Sequence, residues 1–456
     1  MTAGAPGVYH RLCGALRSRT PFGVVARGSL SAAMLQGINA VLGFATALLL
    51  ARLLGAAGYG AYSFSVALLT ILGIPGSMGF AKLFTREVAR LVDNCNWPEL
   101  RGLLWQGNGI ALVASLTLTG LVIGACWALR DSIDSEMCVT LSIVILALPL
   151  LVFTSLFISV LRGLEQVVKS LLPIQVVQPA LLLVLVMVFA TMVPGAHLSA
   201  SSAGAMYVTS MVAALLLAAA FLAGAWPDSA RHGPRTYRAF AWVKAGLLMS
   251  VVASVNIIIL RTDVVMLGVL AESRDVGIYN AATRLVLLVA FGTQALQYAM
   301  APRLSVLSAR GDKAALQRLL FVAACATTSF ALPVAGLYVF FGAEVLLLFG
   351  NEFLAGTTAL TLLAMGQFMA AVLGPASFVL VMSGHERVSA ICISITCVAN
   401  VVLNAILIPS FGMVGASVAT LISQVAMSSA MALVVWRNLG VLTPVFFILR
   451  PSQTRN

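Results

Sequence analysis

Leu48 to Leu69 reads LLLARLLGAAGYGAYSFSVALL, and Val265 to Val286, 217 residues further on, reads VMLGVLAESRDVGIYNAATRLV. At this offset Leu50 falls on Leu267, Leu53 on Leu270, Gly60 on Gly277, Tyr62 on Tyr279 and Leu68 on Leu285. Beyond the two stretches, Arg86 falls on Arg303. Leucine matches are cheap in an apolar chain. A Gly-x-Tyr pair and an arginine at one constant offset are less so, and together they indicate an internal repeat. Each copy sits among apolar runs of about 20 residues, the length a helix needs to cross a hydrocarbon core roughly 30 Å thick.

Working outward, apolar runs fall near Ser29 to Leu50, Tyr59 to Ala81, Leu104 to Leu129, Met137 to Leu161, Leu171 to Val193 and Ser202 to Ala225. Six more follow near Trp242 to Leu270, Val276 to Ala301, Leu319 to Phe341, Thr358 to Ser383, Val388 to Ile408 and Met413 to Trp436. By length all are helices. Because the repeat restarts after six spans, both halves share one orientation, related by an axis along the membrane normal. The expected fold is an all-α integral membrane protein of about twelve transmembrane helices in two six-helix lobes around a central cavity. Its expected parts are a cytoplasmic N-terminal segment (1–28), a first lobe (29–225), a cytoplasmic linker (226–241), a second lobe (242–436) and a cytoplasmic tail (437–456).

Composition agrees. Of 456 residues, 61% are hydrophobic and 9% charged, whereas a soluble domain is about half apolar and a quarter charged. The net charge of +12 suggests nucleic acid only until the basic residues are placed. Of 27 Lys and Arg, 22 fall in alternate loops on one side and three (Arg52, Arg130, Arg274) on the other, while Arg261 and Arg284 lie within spans. This asymmetry sets membrane orientation, puts both termini in the cytoplasm and excludes a nucleic-acid partner. The stretch Ser29 to Leu50 is longer than a signal-peptide core, and further spans follow it. The seven cysteines show no CxxC or zinc-ligand spacing and read as small hydrophobes.

No enzyme signature is present: no Walker loop, DxD pair, HExxH or Gly-x-Ser-x-Gly elbow, and the four histidines (His10, His197, His232, His385) lie in tails or loops. The informative residues are ionisable groups inside spans, because charges in hydrocarbon are costly and usually face a protein interior or a wet cavity. Arg261, Asp263 and Arg284 all fall in the outward half of the bilayer and are expected to share one site. They suit a cationic patch for a phosphate or pyrophosphate, with Asp263 balancing charge or taking up a coupling proton. A structural Arg–Asp contact or snorkelling arginines are the alternative. Asn280, Arg284, Gln294 and Tyr298 share a stripe of the eighth span, Asn256 lies seven residues before Asp263, and Gln36, Asn39, Gly43 and Thr46 share one side of the first span. Polar contacts between helices explain each of these residues equally well alone. Arg52 is either an interfacial anchor or a cavity residue. Pro75, Pro149, Pro179 and Pro375 permit kinks. The basic loops that include Lys82, Arg86, Arg303 and Arg310 suit anionic lipid or substrate headgroups as well as topology.

Three segments carry a resemblance: Leu48 to Arg90, Arg261 to Leu288, and Leu403 to Gln424 (LNAILIPSFGMVGASVATLISQ). They resemble polysaccharide-repeat-unit (O-antigen) flippases of the multidrug/oligosaccharidyl-lipid/polysaccharide exporter superfamily. The resemblance implies two six-helix bundles and alternating access that moves a polyprenyl-pyrophosphate-linked oligosaccharide from the cytoplasmic to the periplasmic leaflet of a bacterial plasma membrane. It implies membrane lipids and polysaccharide polymerase or assembly proteins as partners. It implies no cofactor beyond an H+ or Na+ gradient, with Asp263 at the family's acidic position and Arg284 as the cavity cation. A lipid II flippase, a drug/cation antiporter of the same fold, and a membrane-embedded sugar polymerase or ligase are the alternatives.

Overall fold

The computed structural model describes residues 21–131, 134–192, 198–310 and 312–443. The expected N-terminal segment to residue 20, His197 and the tail from 444 lie outside the described residues, as do the side chains of Asn256 and Tyr298. The first lobe comprises α1 (Pro21–Gly76), α2 (Phe80–Asp93), α3 (Trp97–Ala128), α4 (Ser135–Ile145), α5 (Ala147–Gly163), α6 (Val167–Leu172), α7 (Gln178–Met192) and α8 (Ala200–Ala225). The second comprises α9 (Ala239–Leu270), α10 (Ser273–Arg310), α11 (Lys313–Phe340), α12 (Gly342–Leu347), α13 (Thr357–Leu373), α14 (Ala376–Met382) and α15 (Glu386–Leu439). Several starts carry caps. Asn96 accepts from the Glu99 amide, Ser199 from that of Ser202, and Asp312 from that of Ala315.

Two of these helices are double crossings. In α1 the chain turns at Gly55, whose φ of 70° suits a residue without a Cβ. Asn39 and Thr70, on either side of that turn, line the same cavity, so α1 folds back on itself. In α15 the turn is at Gly412, with φ 53°. Asn404 and Thr420 bond the same Asp263 carboxylate across it, although a straight helix would hold residues 16 apart at about 24 Å. Among the described residues, eight helical segments, with α4–α5 and α6–α7 each counted as one, are long and apolar enough to cross a bilayer. The two turns make them ten crossings, and α9 and α10, which carry Arg261, Asp263 and Arg284, complete twelve. The expected fold class holds.

The 217-residue repeat is visible as a contact. Gly60 of α1 packs on Ser273, and Gly277 of α10 packs on Ala56, so closely that a Cβ on either glycine would collide with the facing carbonyl oxygen. Ser273 is Ala56 shifted by 217 and Gly277 is Gly60 shifted by 217, so each contact is the image of the other. One layer deeper Asn280 Nδ2 donates to Ser63 Oγ at 2.9 Å, again a pair 217 apart. Such a self-complementary arrangement marks a pseudo-two-fold axis between the lobes.

Some boundaries differ from the sequence expectation. The second span ends at Gly76 rather than Ala81. Ser77 to Gly79 make a turn, and the expected loop Lys82 to Arg101 begins as the amphipathic helix α2. Its buried face is Phe80, Leu83, Phe84, Val88 and Leu91, with Lys82, Arg86 and Arg90 exposed. The fourth span is interrupted at Leu146, the fifth by a π-helical turn (Pro173–Val177), and the tenth at Gly374–Pro375. The linker after α8 is docked on the first lobe. The Thr236 amide donates to Pro98 O at 3.0 Å, and Arg101 donates to the carbonyls of Pro234 and His232.

Candidate functional site

Arg261 reaches inward from α9 and Arg284 from α10. Both line a cavity of about 200 Å³ between the lobes, with Asn39 and Thr46 from the first limb of α1, Tyr59, Tyr62 and Ser63 from the second, Gln178 and Tyr207. Asn280 forms part of the wall, donating to Tyr59 Oη and Ser63 Oγ, both at 2.9 Å. Tyr62 and Tyr207 meet edge to face with centroids 6.3 Å apart. Among the described residues neither arginine forms an ion pair, and Arg284 Nε is buried without a hydrogen-bond partner. An arginine in mid-membrane costs about 3 kcal/mol on insertion scales, so two with no carboxylate make a site suited to an anion.

A second cavity of about 270 Å³ shares Asn39, Gly43 and Arg284 with the first and adds Gln36, Leu287 and Gln294. Because the first limb of α1 and α10 run in opposite directions through the membrane, Gln36 and Gln294 both lie toward the basic face. The cationic cavity therefore continues toward that face. Toward the other face it ends at the Gly60–Gly277 crossing. Two further contacts lock this end: Glu352 Oε2 accepts from the Ala56 amide at 2.7 Å, and Arg52 Nε donates to Leu348 O at 2.6 Å. Glu352→Gln, which keeps the shape and removes the charge, is expected to loosen the lock by about 1 kcal/mol. Faster labelling of a cysteine at position 56 by a membrane-impermeant maleimide checks this, and an unchanged rate counts against it.

The structure thus brings together Arg261, Arg284, Asn280 and Asn39, places Gln36 in the adjoining cavity, and puts Arg52 at the far rim. Asp263 lies elsewhere. Two residues advance a helix by about 200°, so the carboxylate points away from Arg261 into the second lobe. There Tyr279 Oη (2.8 Å), Thr420 Oγ1 (2.6 Å) and Asn404 Nδ2 (2.7 Å) donate to it. Asn404 also donates to Asn400 at 3.0 Å, and its own Oδ1 is buried and unpaired. No described Lys or Arg bonds Asp263. No described group of three or more His, Cys, Asp or Glu is placed to hold a metal.

Sequence reasoning missed the tyrosines of the cavity, Gln178, Glu352 and the Asn400–Asn404–Thr420 cluster. The repeat offered one signal, since Tyr62 and Tyr279 are equivalent positions. Tyr62 faces the arginine cavity and Tyr279 the carboxylate. Asn400 and Asn404, four apart in an apolar run, offered another.

Twelve spans in two like-oriented lobes around an internal cationic cavity define a two-lobe polytopic membrane protein. The chain belongs to the polysaccharide biosynthesis protein family, whose model matches residues 25–308. It is 28% identical over 162 residues to a probable low-salt glycan biosynthesis flippase, Agl15, of Haloferax volcanii; the match covers 35% of this chain and 34% of that relative. In fold it is similar to an inward-facing multidrug resistance MATE family transporter of the MOP superfamily (TM-score 0.73, 16% identity, 88% of this chain and 94% of that one). It is also similar to the lipid II flippase MurJ in an inward closed conformation (TM-score 0.70, 15% identity, 88% and 86%).

Proposed function

We propose that the protein is a flippase, a carrier rather than an enzyme. It takes a polyprenyl-pyrophosphate-linked oligosaccharide from the cytoplasmic to the periplasmic leaflet of a bacterial plasma membrane, for surface polysaccharide synthesis. The observation that carries this reading is the acid-free pair Arg261 and Arg284 in a cavity closed at one end. A guanidinium is a planar fork that pairs bidentately with phosphate oxygens, and two of them match a diphosphate. Asn280, Asn39 and the tyrosines supply neutral donors and acceptors for the first sugars. The charge asymmetry makes the basic face cytoplasmic. The glycan-flippase relative and the family membership favour the same cargo.

Cargo enters from the basic face past Gln36 and Gln294 and settles its diphosphate on the arginines. Rocking of the lobes about the pseudo-two-fold then separates Gly60 from Gly277 and exposes the site to the far side. A ligand drives such a change only by its different affinity for the two states, and the relief of two unpaired charges supplies one. Asp263 is the coupling group for H+ or Na+: its carboxylate is buried among neutral donors, where gain or loss of a cation alters the packing of α9, α10 and α15. Asp263→Asn is expected to leave cargo binding intact and to remove the dependence of transport on the ion gradient. Gradient-driven flux that persists in that variant contradicts the assignment.

Two unopposed arginines repel a cationic drug, which weighs against the antiporter alternative. A lipid II cargo presents the same diphosphate. Purified protein in liposomes settles the matter: it should move a lipid-linked oligosaccharide between leaflets, scored by access of an external lectin. Failure with a panel of repeat units and lipid II, with dye efflux instead, would overturn the reading.

A further inference from the structure

A further cavity lies outside the space between the lobes. It measures about 380 Å³ and opens at the basic end of the first lobe, between α2, the end of α5 and the start of the fifth span. Lys82, Arg86 and Arg162 line it, with the hydroxyls of Thr85, Ser155 and Ser159, and no carboxylate does. Arg86 is paired with Glu87 at 2.8 Å. Lys82 and Arg162 form no ion pair or hydrogen bond among the described residues. Gln175 Oε1 is buried in its wall without a partner, an acceptor that a sugar or phosphate hydroxyl would satisfy.

One turn of helix separates this pocket from the arginine cavity. In the π-helical turn Pro173–Val177, Ile174 and Gln175 face the pocket, while Gln178 and Pro179, just beyond it, face the cavity. Asn39, which lines both inter-lobe cavities, donates to Gln175 O at 3.0 Å. Single π turns inside α-helices occur frequently at functional sites.

We propose that this pocket is a docking site for a phosphate-bearing lipid headgroup, where a diphosphate is held at the basic face before it passes to Arg261 and Arg284. The passage onward rests on the flippase reading; the docking chemistry does not. Two headgroups share that chemistry, the diphosphate of a polyprenyl carrier and the phosphodiester of an anionic bilayer lipid.

The test uses the full chain in nanodiscs and measures binding of undecaprenyl diphosphate, and separately of phosphatidylglycerol, against a phosphatidylcholine background. In an Arg261→Gln/Arg284→Gln background, which silences the inter-lobe cavity, the unmodified pocket is compared with Lys82→Gln/Arg162→Gln and with the charge-conserving Lys82→Arg/Arg162→Lys. The neutral pair should weaken binding on the order of tenfold or more, and the conserving pair should retain most of it. Loss confined to the diphosphate assigns the pocket to the carrier lipid, whereas loss confined to phosphatidylglycerol makes it a bilayer-lipid site and overturns the passage of a diphosphate through it. Equal binding of both ligands by all three proteins, each monodisperse, overturns the site. In liposomes, with Arg261 and Arg284 intact, the neutral pair should raise the carrier concentration for half-maximal transport and leave the maximal rate within about twofold. A wild type that binds diphosphate but moves no lipid-linked sugar refutes the flippase reading and leaves the docking site standing.

Discussion

Arg284→Ala should reduce transport of a lipid-linked oligosaccharide roughly thirty- to hundredfold while leaving the amount of folded protein unchanged. The size follows from losing a charge-assisted, bidentate contact to phosphate, about 2–3 kcal/mol. Stability should not suffer, because Arg284 forms no ion pair among the described residues and its Nε is buried without a partner. Removing an unpaired charge from a membrane interior relieves a cost rather than adding one. Arg284→Lys should retain part of the activity, since an ammonium keeps the charge and loses the fork. Parallel loss of folded protein and of flux would place Arg284 in the scaffold instead.

Gly60→Val should be the most disruptive change outside the cavity. No Cβ fits between Gly60 and the Ser273 carbonyl, so the side chain must drive the lobes apart at their tightest crossing. Overpacking of this kind costs typically 1–3 kcal/mol. Here the strain falls on the state closed at the far face and not on one open there. The population should therefore shift by tenfold or more toward the open state. In a background without the seven native cysteines, Ser63→Cys should be protected from an impermeant maleimide added at the far face and become reactive once Gly60→Val is introduced. Gly277→Val should act in the same way, because Gly277 is the repeat image of Gly60. Continued protection in both valine variants, with transport intact, would show that the crossing is not the gate.

The same glycines show what the sequence made legible. A Gly-x-Tyr pair recurring at an offset of 217 gave the duplication, its parallel orientation and the two lobes. The structure then puts Gly60 and Gly277 at the axis that relates them. Intramembrane charge gave the arginines, because a cation in hydrocarbon needs a reason that hydropathy alone supplies. Asp263 was legible as unusual but not as separate. Its neighbours Asn404 and Thr420 come from the two limbs of α15, 141 and 157 residues away, and only the turn at Gly412 brings them together. Tyr59 and Tyr207 were silent for a similar reason, since a tyrosine in an apolar span is ordinary until its hydroxyl has a neighbour. Helix α2 hid inside a basic loop because its apolar residues, Phe80, Leu83, Phe84, Val88 and Leu91, are too few to register as a span. The pocket it helps to enclose was invisible for the same reason.

The most direct measurement is the affinity of purified protein for undecaprenyl diphosphate, wild type against Arg261→Gln/Arg284→Gln, in a Lys82→Gln/Arg162→Gln background that leaves only the inter-lobe cavity. Saturable binding that falls on the order of a hundredfold when both arginines are neutralised is the expected result. Binding of equal strength with and without the two guanidiniums would contradict it, because the cationic cavity would then have no part in holding the cargo.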